Sequence, residues 1–246
     1  MIHKFIAAPN LPEGKVKLLL LGIPYRHILE ESLSELEITP VWLPKNTCAD
    51  PRLQGHADLM ALYMGNGKIV CVPGIANLLT RLNMHVIPVK SKLAAQYPND
   101  CLLNGCLLGH CYIHRLDVTD PSVRINLDEI QSLNVKQAYT KCSTCVVHSN
   151  AIITSDPGIS KIASSHNIDV LTIRPGYIEL PGYKYGFIGG ATFKIAKNIL
   201  AFTGTFDHHP DHANILNFLR KHNVQPLCLT TRTIFDIGSA IPISEH

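Results

Sequence analysis

A five-bladed α/β propeller of ββαβ units is the architecture this sequence predicts, and three observations predict it. Two stretches match element for element: HADLMALYM-GNG-KIVCV-PG-IANLLTRLN-MHVIPV at 56–89 and KCSTCVV-HSN-AIITS-DPG-ISKIASSHN-IDVLTI at 141–173. Breaks at Pro24, Pro73, Pro121, Pro157 and Gly204 recur about every 45 residues, a period that marks stacked or circular arrays. The first unit lacks opening strands, whereas the chain ends in an orphan strand-like segment, TIFDIGSAIPI at 233–243. Pairing the two ends removes exposed sheet edges, so that segment is expected to close the ring beside the N-terminal strands.

Each unit follows the same logic. Alternating apolar text around a tight polar turn gives a hairpin, a Pro-Gly break starts a helix, and a short apolar run gives a third strand. The first unit (about 1–45) keeps KVKLLLLG, the helix HILEESLSELE and the strand ITPVWLP. The second (55–90) and fourth (141–174) are the complete pair. In the fourth, Ile159, Ile162 and Ala163 share a face, Lys161 and Ser165 look outward, and Asp156 sits at the N-cap. The third (100–140) reads CLLNGCLLGHCYIHR, then a helix within DPSVRINLDEIQSLN, then the strand VKQAY. The fifth (185–230) reads FIGGATFKI, ILAFTG, the helix PDHANILNFLRKHN and VQPLCL. One domain spanning 1–246 is expected.

Composition narrows the function. With 246 residues, 46% apolar and 17% charged, the chain can bury a large core. A net charge of +3 from 22 dispersed Lys and Arg gives little attraction for a polyanion, so no nucleic-acid partner is expected. The longest apolar run, 18–23, is far short of a membrane span. The start is too short and too proline-broken for a signal peptide, and a cytoplasmic location is expected. Eight cysteines, several in strand-like runs (Cys71, Cys106, Cys228), then read as reduced core residues.

Five ββαβ units of this size, closed by a C-terminal strand, resemble the pentein fold of guanidino-group-modifying enzymes: arginine and agmatine deiminases, dimethylarginine hydrolases and amidinotransferases. The phrases KCSTCVV, YGFIGGA and DIGSAIPI also resemble a group of uncharacterised bacterial proteins placed beside them. The resemblance implies that the opening strand of each unit aims side chains into a central channel. There, carboxylates hold the guanidinium, a histidine moves protons and a cysteine attacks. The fold has non-catalytic members as well, so membership alone does not make an enzyme.

The matching segments here are GHAD (55–58), LNG (103–105), KCSTC (141–145), FIGG (187–190) and FDIGS (235–239). By blade count, Asp58 falls on a substrate-binding carboxylate, but Asn104 replaces the family's glutamate. Lys141 and Cys142 stand where the histidine is expected, and the closing segment offers Ser239 rather than a cysteine. Matching Gly189-Gly190 to the family's paired glycines instead puts the cysteine position near Phe193. Arginine deimination is therefore not expected. Either the chain is a non-catalytic pentein acting as a binding module, or its site is rebuilt with Cys142 or Cys145 as nucleophile and His56 as acid-base group. Asp58, Asn104, Lys141, Asp236 and Ser239 would then bind a guanidino or amidine-like small molecule.

Local alternatives stand beside this. On a strand, Cys142 and Cys145 would point to opposite faces, which disfavours a redox pair, while His56 and Asp58 would share a face. The clusters Cys101/Cys106/His110/Cys111/His114 and His208/His209/Asp211/His212 have no recognised zinc spacing. The first reads as strand text and the second as a surface helix cap. Neither a metal nor a cofactor is expected. Gly189 and Gly190 read as close backbone approach at a narrow axis.

Overall fold

The computed structural model describes residues 4–127 and 129–246; the first three residues of the expected first unit and residue 128 of the third lie outside the described residues. It is a mixed α/β fold of five small sheets. The first unit contains β1 (Lys4–Phe5), β2 (Val16–Gly22), α1 (Arg26–Glu35) and β3 (Thr39–Leu43). The second contains β4 (Ala61–Gly65), β5 (Lys68–Cys71), α2 (Pro73–Arg81) and β6 (His85–Pro88). The third contains β7 (Cys106–Leu108), β8 (Cys111–His114), α3 (Pro121–Ile125) and β9 (Gln131–Asn134). The fourth opens with a helical turn, α4 (Thr140–Ser143), before β10 (Thr144–His148), β11 (Ala151–Thr154), α5 (Pro157–Ser164) and β12 (Asp169–Thr172). The fifth contains β13 (Thr192–Ala196), β14 (Ile199–Phe202), α6 (His212–Lys221) and β15 (Gln225–Cys228), and β16 (Ile241–Glu245) ends the chain.

In the second to fifth sheets an antiparallel hairpin is followed by a helix that returns the chain parallel to the second strand. The helices begin where the prolines said: Pro73, Pro121 and Pro157 occupy the first turn, where the missing N–H costs nothing. Asp156 caps α5 by accepting from Ile159 N at 2.8 Å. The longer helices bury residues one turn apart, such as Ile75 and Leu79 in α2 and Ile159 and Ala163 in α5.

The C-terminal strand β16 lies between β1 and β2, antiparallel to both. It is shorter and later than the 233–243 expected. Residues 233–240 form no strand of their own but make isolated bridges at Thr205–Thr233 and Glu179–Phe235. Gly238 and Ser239, at φ +67° and +61°, break the extended run before β16 begins.

Three other expectations change. The third strand of unit three is Gln131–Asn134, not 135–139, because α3 stops at Ile125 with Asn126 as its C-cap. Cys71 and Cys106 are buried, but Cys228 is exposed on β15, an outer strand of its sheet. The segments expected as opening strands are turns: a 3-10 turn at Ala57–Leu59, α4 at Thr140–Ser143, and irregular backbone at 187–190. The reason is visible at α4, where Asn104 Oδ1 accepts from both Lys141 N (3.0 Å) and Cys142 N (3.2 Å). Lys141 N also donates to Asn104 O at 2.8 Å, so both N–H groups are satisfied by Asn104 and need no ladder partner. Face alternation consequently does not apply to His56 and Asp58, or to Cys142 and Cys145.

Candidate active site

The inner turns of units two and four meet. His56 leads into the 3-10 turn in extended conformation, and Asp58 N donates to Gly238 O at 3.1 Å, fixing that turn to the closing segment. Opposite, Cys142 is held on α4: its carbonyl accepts from Gly190 N at 2.8 Å and its N–H is bound by Asn104. The Cys142 thiol donates to Asp58 Oδ2 at 2.9 Å, and Asn104 Nδ2 donates to Cys142 Sγ at 3.4 Å. A ring nitrogen of His56, a carboxylate oxygen of Asp58 and Cys142 Sγ all lie within 4.8 Å of one another. All three residues are 2% exposed, and both His56 Nε2 and Asp58 Oδ1 are buried without a hydrogen-bond partner.

Asp236 completes the floor. Its two oxygens accept from Phe187 N (2.9 Å) and Gly238 N (2.8 Å). Gly190 is required beside it, since a Cβ there would lie 1.9 Å from Asp236 Oδ1. Gly238 is required twice over, by its positive φ and because a Cβ would lie 2.2 Å from His56 Cβ. The close approach read from Gly189 and Gly190 is what their surroundings impose.

Above this floor opens a cavity of about 330 Å³, to which His56, Cys142 and Asp236 contribute. Its walls are Leu53, Leu180 and four aromatic rings, Tyr139, Tyr183, Tyr185 and Phe187, with Lys184 the one basic residue among those lining it. Phe187 sits between Tyr139 and Tyr185, with ring centroids 6.4 and 6.3 Å away. Arg52 holds one wall in place, stacking 4.2 Å over Tyr183 and donating to Gly182 O at 2.9 Å.

The floor is electronegative and dry. Burial first, then the charges of Asp58 and Asp236, push the Cys142 thiol well above its ordinary value. Burial likewise pushes the Asp58 carboxyl up. Tyr25, from the end of the first unit's 3-10 turn, is also raised, by burial and then by the Asp236 and Asp58 charges. The resting thiol is therefore a hydrogen-bond donor rather than a thiolate.

Of the residues expected from sequence, His56, Asp58, Cys142 and Asp236 come together, with Asn104 directly behind. Lys141 and Ser239 form a layer beneath: Lys141 Nζ donates to Ser239 Oγ at 3.0 Å, which donates to Gly189 O at 2.8 Å. Cys145 is not gathered with them; it lies fully buried on β10 in an apolar cluster with Val147 and Ile153, its thiol pushed up to about 11 by burial. The aromatic wall was not foreseen. Part of its signal is the tyrosine-rich run GYIELPGYKYGF at 176–187, most of which falls between the expected fourth and fifth units.

His56, Asp58 and Cys142 are also the residues whose donor atoms lie close enough to share a metal ion. The clusters weighed in the sequence are committed elsewhere. His114 bonds Thr119 Oγ1 (2.6 Å) and Ala138 O (3.0 Å). Rather than a surface cap, buried Asp211 grips Arg174, accepting from its backbone N at 2.8 Å and its guanidinium at 3.0 Å.

The five small mixed sheets place the chain in a known fold class, and solved structures share it. The chain is similar to the inosamine-phosphate amidinotransferase of Streptomyces griseus, with 11% identity, 98% of this chain and 97% of that one covered, and a TM-score of 0.58. It is similar to an agmatine deiminase of C. jejuni with substrate bound (11% identity, 98% and 96% covered, TM-score 0.56). It is also similar to DDAH from Pseudomonas aeruginosa complexed with citrulline (8% identity, 88% and 93% covered, TM-score 0.55). The fold is that of the pentein superfamily. No curated protein matches the chain in sequence. Within that superfamily fold, residues 24–241 match the model of DUF6873, a family of unknown function, and the chain belongs to that family. Among the described residues, no helix is long and apolar enough to cross a membrane.

Proposed function

We propose that this chain is a pentein-type enzyme acting on a C–N bond of a small guanidino or amidine cation, as a hydrolase or amidinotransferase. The observation that carries the reading is the meeting of His56, Asp58 and Cys142 within 4.8 Å, with His56, Cys142 and Asp236 lining one cavity and Asp58 behind them, bonded to the Cys142 thiol. A planar cation entering between the aromatic walls places its charge against Asp58 and Asp236. That charge offsets the two carboxylates that hold the thiol proton, so the Cys142 proton passes to His56. The thiolate then bonds to the amidine carbon, His56 returns the proton to the departing nitrogen, and the C–N bond breaks. Water or an acceptor amine, deprotonated by His56, attacks the adduct and frees Cys142.

Asn104 and the Lys141–Ser239 pair act as positioning groups for α4 and the closing segment. The reading includes one domain with its five sheets arranged as blades about this floor. A cytoplasmic address fits the eight free cysteines. The walls favour an apolar or aromatic tail, so free arginine, with its zwitterionic head, is a poor substrate.

A second reading, a pentein that binds its ligand without turnover, draws on the same raised thiol. The test is a panel of guanidino and amidino compounds, assayed for amine or ammonia release and for thermal shift. Turnover lost in Cys142→Ser supports the enzyme. Binding without turnover supports the second reading, and robust citrulline release from arginine contradicts the substrate assignment.

A further inference from the structure

In the free protein the floor carries an unmet demand. His56 Nε2 and Asp58 Oδ1 are both buried and unpartnered, a condition that disfavours the folded state for each group. Among the described residues no Lys or Arg forms an ion pair with Asp58. A thiol, an imidazole and a carboxylate, drawn from two different turns, stand within 4.8 Å of one another. This mixed S, N, O set suits zinc and its neighbours and does not suit magnesium or calcium, which take oxygen.

We propose that His56, Asp58 and Cys142 form a three-ligand site for a thiophilic divalent cation, with Zn²⁺ as the type. The metal displaces the Cys142 proton into the buffer and binds the thiolate, the Asp58 carboxylate and one His56 nitrogen. Two negative ligands and a divalent ion leave no net charge in a water-poor pit, which removes the cost of the bare carboxylate. Asn104 Nδ2, at 3.4 Å from Sγ, becomes an outer-shell partner orienting the sulfur. His56 and Cys142 also line the cavity, from which water or a small ligand would supply a fourth donor. Metal and nucleophile share one sulfur, and the metal-loaded protein is consequently closed to covalent chemistry at Cys142.

Co²⁺ added alone to metal-free full-length protein is the direct probe, in a Cys48→Ser/Cys228→Ser background that removes the two exposed thiols. The expected result is one Co²⁺ per chain with a near-ultraviolet thiolate-to-cobalt absorption. That absorption disappears in Cys142→Ser and needs at least about tenfold more metal in His56→Ala. Stoichiometric Zn²⁺ should displace it and block alkylation of Cys142. No thiolate absorption, or one unchanged by Cys142→Ser, overturns the site. If Cys142→Ser fails to fold, His56→Ala and the alkylation block decide. Turnover of amidino compounds by the metal-free protein is a separate readout, so either inference can fail while the other stands.

Discussion

The second and fourth units share one plan, a turn, a hairpin, a proline-started helix and a parallel third strand, yet they reach the centre in opposite conditions. In the fourth, Cys142 is tied at every polar group. Cys142 spends its N–H on Asn104, its carbonyl on Gly190 and its thiol on Asp58. The second arrives with capacity unspent, at His56 Nε2 and Asp58 Oδ1. One turn presents a fixed sulfur, and the other presents free ligand atoms. The difference teaches that the site is built between repeats, from a rigid side and a hungry side, rather than within either.

The comparison breaks most sharply at the glycine that separates the two turns. Gly190→Ala drives a methyl into Asp236 Oδ1 while its N–H holds Cys142, and the expected loss is roughly 3–5 kcal/mol in denaturant unfolding. A loss under about 0.5 kcal/mol would mean that the closing segment relaxes freely. Next comes the clamp on the fourth turn. Asn104→Ala leaves Cys142 N without its acceptor, while Lys141 N keeps the Asn104 carbonyl, for roughly 1–3 kcal/mol. Because α4 then loosens, Cys142 alkylation should rise even under native conditions.

The hungry side makes a prediction of opposite sign. The Asp58 carboxyl is raised in the folded protein, so the native state holds that proton more tightly than the unfolded chain. Its contribution to stability is full below the unfolded value, about pH 4, and declines as pH rises through the folded one. Asp58→Asn abolishes the decline. Its Tm should match wild type near pH 4 and exceed it at pH 7; a variant less stable at pH 7 would show that the carboxylate is paid for by its neighbours. The same substitution lowers the Cys142 thiol toward its ordinary value, so alkylation at pH 8 should be several-fold faster, with about tenfold for each pKa unit recovered.

The smallest effect belongs to the outer layer. Asp156→Ala removes a cap that α2, whose N-cap is Val72 with no side-chain bond, never had. About 1 kcal/mol of stability should go, with Cys142 reactivity unchanged. A changed reactivity would couple the outer helices to the centre.

The outer layer is also where the sequence was legible. Short apolar runs bounded by turns, Pro at the first helical turn and Asp156 at its cap are local rules, and the second and fourth units follow them in β4–β6, α2, β10–β12 and α5. The inner turns obey non-local demands. Nothing near position 141 announces that Asn104, 37 residues earlier, will bind two of its turn's N–H groups and make a helix of expected strand. The conjunction of His56 with Cys142 likewise depends on Gly238 and Gly190, which arrive from elsewhere in the chain. The candidate residues themselves were readable because few polar groups interrupt these apolar units. Cys145 misled because the two cysteines of CSTC look equivalent until α4 turns one inward and β10 buries the other.

The central claim is that Cys142 faces a cavity built to take a planar cation, and paired alkylating agents test it directly. Chloroacetamidine is a cation and chloroacetamide its neutral analogue, and each is applied to the Cys48→Ser/Cys228→Ser protein with the modified cysteine located by mass spectrometry. The expected result is modification of Cys142 at least about tenfold faster by the cation, beyond the agents' difference with a free thiol, as opposite charge in a water-poor site implies. Asp236→Asn should erase most of that preference. Equal normalised rates, or no modification of Cys142 by either agent, would contradict the claim.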